Sequence, residues 1–170
     1  QITVLPLAAG AEPGELDMLL SDNAPTVSSL AQDWVADVQV RDAGFAWVRW
    51  SDRVSVQVTT LDALIEEFGM PDFCKIDVEG FEHAVLSGLT QPLPRLSFEY
   101  IRAALEHTWS CIARLEALGP YAYNLVDNEN TDFLLADWTD AGGVRNALEN
   151  LPQSVSSGDV YARLLEPSHD

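Results

Sequence analysis

The run Phe73-Cys74-Lys75-Ile76-Asp77-Val78-Glu79-Gly80-Phe81-Glu82, continued by His83-Ala84-Val85-Leu86-Ser87-Gly88-Leu89, constrains the fold more than any other stretch of the chain. Phe73, Cys74, Ile76 and Val78 form an apolar run suited to a short buried strand, Gly80 marks a tight turn, and Phe81, Val85, Leu86 and Leu89 recur at helical spacing. Gly88 falls where a helix of this length ends. Three charges interrupt the apolar run, and strand alternation sets Lys75, Asp77 and Glu79 on one side. Lys75 is the chain's only lysine. Charges in a central strand are costly unless paired or functional, so this stretch is also the first candidate site.

Composition narrows the classes around it. A chain of 170 residues with 47% hydrophobic and 21% charged residues fits one domain with its own core. The net charge of -18, from 27 acidic against 9 basic residues, opposes phosphate backbones and anionic lipid heads, so neither nucleic acid nor membrane is an expected partner. Solubility accounts for most of that charge. No apolar run approaches the ~18 residues that span a bilayer, and no signal peptide is visible. Cys74 and Cys111 lie in apolar surroundings without metal or redox spacing, which favours free thiols and a reducing, cytoplasmic setting. The chain opens on Gln1 and enters an apolar strand directly, as a piece beginning partway through a longer protein would.

Along the chain, Ile2 to Leu7 reads as a strand, Leu16 to Leu20 as a second, and Val54 to Val58 as a third with one polar face. Leu30 to Val40 is helical or irregular. Thr59 or Thr60 caps a helix running through Phe68, and Gly69-Met70-Pro71 ends it. Leu96 to Tyr100 is a further strand, Ala104 to Leu118 a helix stopped by Gly119-Pro120, and Tyr121 to Val126 pairs with Asp132 to Ala136 across the turn 127–130. Trp138 to Leu151 is ambiguous, and Val160 to Leu165 adds a last strand. Strands alternating with helices argue for an α/β sheet, mostly parallel, with an antiparallel terminal strand pair. Ligands of such sheets bind at the carboxyl ends of the strands, where Asp77 and Glu79 end one strand and Glu99 and Tyr100 the next.

The segment Lys75 to Glu82, with Val85-Leu86-Ser87-Gly88, resembles the hallmark of the FkbM-type methyltransferases position by position. Val58-Thr59-Thr60-Leu61-Asp62 resembles the element that precedes that hallmark, Ser97-Phe98-Glu99 the strand that follows, and Gly119-Pro120-Tyr121 the step before the last strands. The resemblance implies a Rossmann-like class I methyltransferase sheet, S-adenosylmethionine as cofactor and a small-molecule or saccharide acceptor methylated on oxygen. One departure matters: the Gly-rich strand-turn-helix that opens such domains has no counterpart, since Gly10, Gly14 and Gly44 lack its spacing. The chain then represents the carboxyl part of the domain, without its first two strand-helix units. The resemblance puts Ala8 and Ala9 near the adenine. The sheet gap left by the missing strands would be closed by re-pairing, by a second copy of the chain, or by an amino-terminal half elsewhere.

Within that frame Asp77 is the expected catalytic carboxylate, within reach of the cofactor's amino-acid end, and Glu79 shapes the site or serves as base. Glu99, Tyr100 and Trp47 are the expected acceptor-binding residues. Lys75, Gly80 and Glu82 are structural members of the motif: Lys75 suits an ion pair with a neighbouring carboxylate, and Glu82 suits the dipole of a first helical turn. Glu99 could instead lock a turn by a hydrogen bond. His83, His107 and His169 lack metal-ligand spacing, and no metal is expected, although Asp77, Glu79 and Glu99 together have the chemistry to hold magnesium. The alternative function is a methyltransferase-like binding domain that cannot hold the cofactor on its own.

Overall fold

Periodicity and caps set the elements. Thr60 is extended and its hydroxyl accepts the Ala63 N–H at 3.1 Å, so the strand β3 (Trp50–Thr59) gives way at once to the helix α2 (Leu61–Phe68). Asp140 does the same for α5 (Ala141–Glu149), accepting the Gly143 N–H at 2.8 Å. The computed structural model describes residues 2–127 and 130–166. Its remaining strands and α-helices are β1 (Ala8–Ala9), β2 (Gly14–Ser21), α1 (Gln32–Arg41), β4 (Cys74–Ile76), α3 (Glu82–Ser87), β5 (Arg95–Ile101), α4 (Leu105–Leu118), β6 (Tyr121–Asp127) and β7 (Ser157–Leu164). The protein is α/β, with mixed sheets and five α-helices among the described residues.

These elements form two compact units, Gln1–Gly69 with Val78–Leu89, and Met70–Asp77 with Thr90–Asp170. The first holds a three-stranded sheet of order β1-β3-β2, in which β1 runs parallel to β3 and β2 antiparallel to it. Ile2 to Leu7 is not a strand. Pro6 cannot donate a ladder hydrogen bond, Ile2 and Val4 are 91% and 85% exposed, and pairing starts only at Ala8, opposite Val58.

The second unit holds a four-stranded sheet of order β4-β5-β7-β6. Only β4 and β5 are parallel, because β7 inserts antiparallel between β5 and β6. The sheets are therefore mixed and not mostly parallel. Leu96, Phe98 and Tyr100 of β5, Val160 and Ala162 of β7, and Tyr123 and Leu125 of β6 alternate onto one buried face. The Tyr123 hydroxyl donates to Glu116 of α4 at 2.7 Å, which places α4 over that face. Cys111, Ile112 and Leu115 of α4 are buried too, as are Val144 and Leu148 of α5.

Asp132 to Ala136 does not pair with β6 as a strand; β7 takes that partnership. The segment instead lies along β6 through one backbone bond, Leu134 N–H to the Leu125 carbonyl at 2.8 Å, and through the Asn124 side chain. The buried Asn124 amide donates to the Leu135 carbonyl at 2.9 Å, and its oxygen accepts from Leu135 N–H at 3.1 Å. Asn128, Glu129 and His169 lie outside the described residues.

Candidate functional site

The parallel register of β4 and β5 sets Lys75 beside Ser97, so Asp77 follows β4 on the same face and at the same end as Glu99. In the antiparallel register of β7, Asp159 stands opposite Glu99 and Ser157 opposite Ile101. The carboxyl ends of β4 and β5 and the start of β7 thus enclose a cavity of about 590 Å³ lined by Lys75, Asp77, Glu99, Asn130, Ser157, Gly158 and Asp159. Its size lies within the usual range for small-molecule pockets.

Lys75 organises the charges there. Its Nζ lies 3.1 Å from both Asp159 carboxylate oxygens and 3.5 Å from Asp77 Oδ2. Partial burial works against the ammonium, but Asp159 and then Asp77 outweigh it, and the Lys75 pKa is raised above the ordinary lysine value. Lys75 therefore stays cationic at neutral pH and draws both carboxylates toward one point. Glu99 and Asp159 face each other across β5 and β7, so three carboxyl groups gather round the one ammonium at the strand ends.

Tyr100 does not line the cavity. Alternation turns it to the face opposite Glu99, where it is 1% exposed and its hydroxyl donates to the Val126 carbonyl at 3.2 Å. A Cβ at Gly158 would clash with that carbonyl and lie 2.8 Å from the Tyr100 hydroxyl oxygen, so glycine lets β7 pass close to both. Asp159, Ser157 and Asn130 are cavity residues that sequence reasoning missed. For Ser157 and Asp159 the signal was the two-residue alternation Ser157, Asp159, Tyr161, Arg163 against Gly158, Val160, Ala162, which begins before the strand expected at Val160; Asn130, beyond the end of β6, shares no such pattern.

The other motif residues belong to the first unit. Glu79 and Gly80 both take left-handed backbone, with φ of 51° and 88°. The Ser29 hydroxyl donates to the Glu79 carbonyl at 2.6 Å, and a Cβ at Gly80 would run into the Trp34 ring. The buried Glu82 carboxylate accepts from Val78 N–H at 3.3 Å and Gly80 N–H at 3.2 Å, so it fastens the turn in addition to suiting the helix dipole. Ala8 and Ala9 are half-buried in β1. Trp47 is 60% exposed in an irregular stretch and gives its carbonyl to the Asn23 amide at 2.7 Å.

Residues 1–150 match the family model described as the methyltransferase FkbM domain. The chain belongs to the FkbM methyltransferase family. No curated protein and no solved structure matches it. As an FkbM methyltransferase domain it carries the cavity at the strand ends where α/β sheets place ligands, with Asp77 of the hallmark motif on its wall. No described helix is long and apolar enough to cross a membrane. Both cysteines are free, and burial pushes the Cys74 thiol pKa up.

Proposed function

We propose that this chain is the acceptor-holding, carboxyl part of an S-adenosylmethionine-dependent O-methyltransferase domain acting on a small-molecule or saccharide hydroxyl. The observation that carries the reading is the convergence of Asp77 and Glu99 on one cavity in an FkbM methyltransferase. The cofactor, when bound, supplies a methyl group activated on a sulfonium. The donor set fits that group in part. The cavity's carboxylates suit a cationic sulfonium or ammonium, whereas among the described residues the motif turn offers a single glycine, Gly80, and β1 leads through Gly10 into another strand, not a helix.

The chain's own residues supply the acceptor chemistry. The Asp77 carboxylate accepts the hydroxyl proton of the acceptor, leaving the oxygen more nucleophilic. Lys75 holds Asp77 and Asp159 in place, and Glu99, Ser157 and Asn130 offer hydrogen bonds that fix which hydroxyl faces Asp77. Glu79, in its left-handed turn, and the β1 backbone at Ala8 and Ala9 belong to the first unit and stay as the expected further members of the catalytic and cofactor sets. The incomplete glycine cradle favours a second reading, a methyltransferase-like binding domain that depends on another segment for the cofactor.

Calorimetric titration of the chain with S-adenosylhomocysteine separates the two readings. Saturable heat is expected for the first, and its absence at high ligand concentration supports the second. In a transfer-competent protein, Asp77→Asn keeps the fold and is expected to lower turnover by about 10²–10⁴-fold. Wild-type turnover in that variant would remove Asp77 from the mechanism.

A further inference from the structure

The cavity is not the end of the functional face. Asp159, Tyr161 and Arg163 alternate onto one side of β7, so the side that lines the cavity continues along the sheet. There it becomes aromatic. Tyr161 lies 6.0 Å from Phe73, which precedes β4, and 5.2 Å from Phe133; Phe133 lies 5.3 Å from Trp138, ring centroid to centroid. Phe73 and Phe133 are 47% and 46% exposed, although the core aromatics Phe98 and Tyr123 are fully buried. The backbone that carries Phe133 is also fixed, through the bonds that Asn124 makes to Leu135 and the Leu134–Leu125 bond. Two half-exposed rings on a braced backbone, continuous with a polar cavity, are arranged for a ligand more than for packing.

The chemistry of the two halves names the occupant. Three carboxylates against one ammonium disfavour an anion in the cavity. The cavity's carboxylates accept a cation, but along the aromatic strip the Trp138 face is already taken by the Arg163 guanidinium, 4.4 Å from the ring centroid, so the strip does not extend that preference. A neutral ring bearing hydroxyls on its rim and C–H groups on its faces satisfies both halves, because its hydroxyls donate to the carboxylates and its apolar face lies on aromatic carbon. We infer that the strip Phe73–Tyr161–Phe133–Trp138 is a saccharide subsite, which holds the neighbouring ring of a neutral glycan whose terminal ring enters the Asp77–Glu99–Asp159 cavity. The inference rests on the reading of that cavity as the acceptor site and adds the acceptor's class and length.

Saturation-transfer NMR on the full chain tests it without any cofactor. The probes are the neutral trisaccharides maltotriose and cellotriose, with trigalacturonate as the anionic counterpart. Transfer to ring C–H protons of at least one neutral trisaccharide is expected. Binding should weaken about tenfold in Phe133→Ala and be regained in Phe133→Trp, with trigalacturonate silent. Matching wild-type and variant melting curves confirm that Phe133→Ala is folded, and the rescue by tryptophan holds the test if that variant is not. No transfer from either neutral sugar, equal binding by Phe133→Ala, or equal transfer from trigalacturonate overturns the inference. Its failure is distinguishable from failure of the methyl-transfer reading. Methylation of a non-sugar hydroxyl without sugar binding removes only the subsite, whereas sugar binding by a chain that never binds S-adenosylhomocysteine removes only the transfer.

Discussion

Glycine at position 80 is required twice. Its φ of 88° lies in the left-handed region, and a Cβ there would enter the Trp34 ring, which is 2% exposed and packed edge-on against Phe45 at 5.5 Å. Trp34 sits in a filled space and cannot step aside cheaply. Gly80→Ala is therefore expected to destabilise the fold by about 2–4 kcal/mol, the sum of backbone strain and overpacking. Gly14→Ala is the control, because nothing lies within 4 Å of a Cβ at that position. Denaturant titration of both should lower the midpoint for position 80 and leave position 14 within about 0.5 kcal/mol of wild type. Equal midpoints would show that the turn relaxes more readily than its geometry implies. The same turn explains why the motif carries Glu82: its carboxylate serves two turn N–H groups that no strand or helix ladder reaches.

At the scale of elements, Asn124 does the work of a strand partner. Its side chain bonds Leu125 N–H at 2.8 Å and both polar backbone groups of Leu135, fixing the irregular segment that carries Phe133 and Trp138 beside β6. Asn124→Ala leaves the buried Leu125 N–H and the part-buried Leu135 groups without that partner, at a cost of about 1–3 kcal/mol. Amide exchange at Leu135 should quicken beyond what global stability predicts, and protection like that of the wild type would contradict the clamp. The contrast with what the sequence discloses is physical. The strand-turn-helix at 73–89 was legible because its period changes from two to 3.6 around a glycine, and α2 because Thr60 caps it. Asp77 and Glu99 could be brought together on paper, since neighbouring parallel strands end at the same edge. Asp159 could not, because the alternation that marks its strand does not disclose the non-local pairing by which that strand inserts between β5 and β6. Tyr100 was misplaced beside Glu99 because adjacent strand residues face opposite ways. In α5 the pair Gly142-Gly143 hid a helix that the Asp140 cap makes plain.

For the whole molecule, the alkaline limit of stability follows from tyrosines and charge together. Burial raises the Tyr100 and Tyr121 phenols to about 12, with Asp127 and Asp159 adding to the first. Tyr123 is raised as well, by burial first and then by its bond to Glu116 and the charge of that carboxylate. For a phenol whose folded pKa exceeds its unfolded value near 10, folding favours the protonated form. The stabilisation is complete below pH 10 and is lost as pH rises from there through the folded value near 12. Each buried phenolate would add a negative charge to a chain already at -18, so self-repulsion acts in the same direction. Three of the four tyrosines, from β5 and β6, should thus resist ionisation above pH 10 and then ionise in step with unfolding. Phenolate absorbance followed beside helical circular dichroism checks this. A cooperative rise in absorbance should coincide with loss of ellipticity, and melting temperatures should fall steadily above pH 10. A single absorbance step near pH 10 that accounts for all four tyrosines while ellipticity persists would mean that the β5–β7–β6 core admits water and does not hold its phenols as tightly as their burial implies.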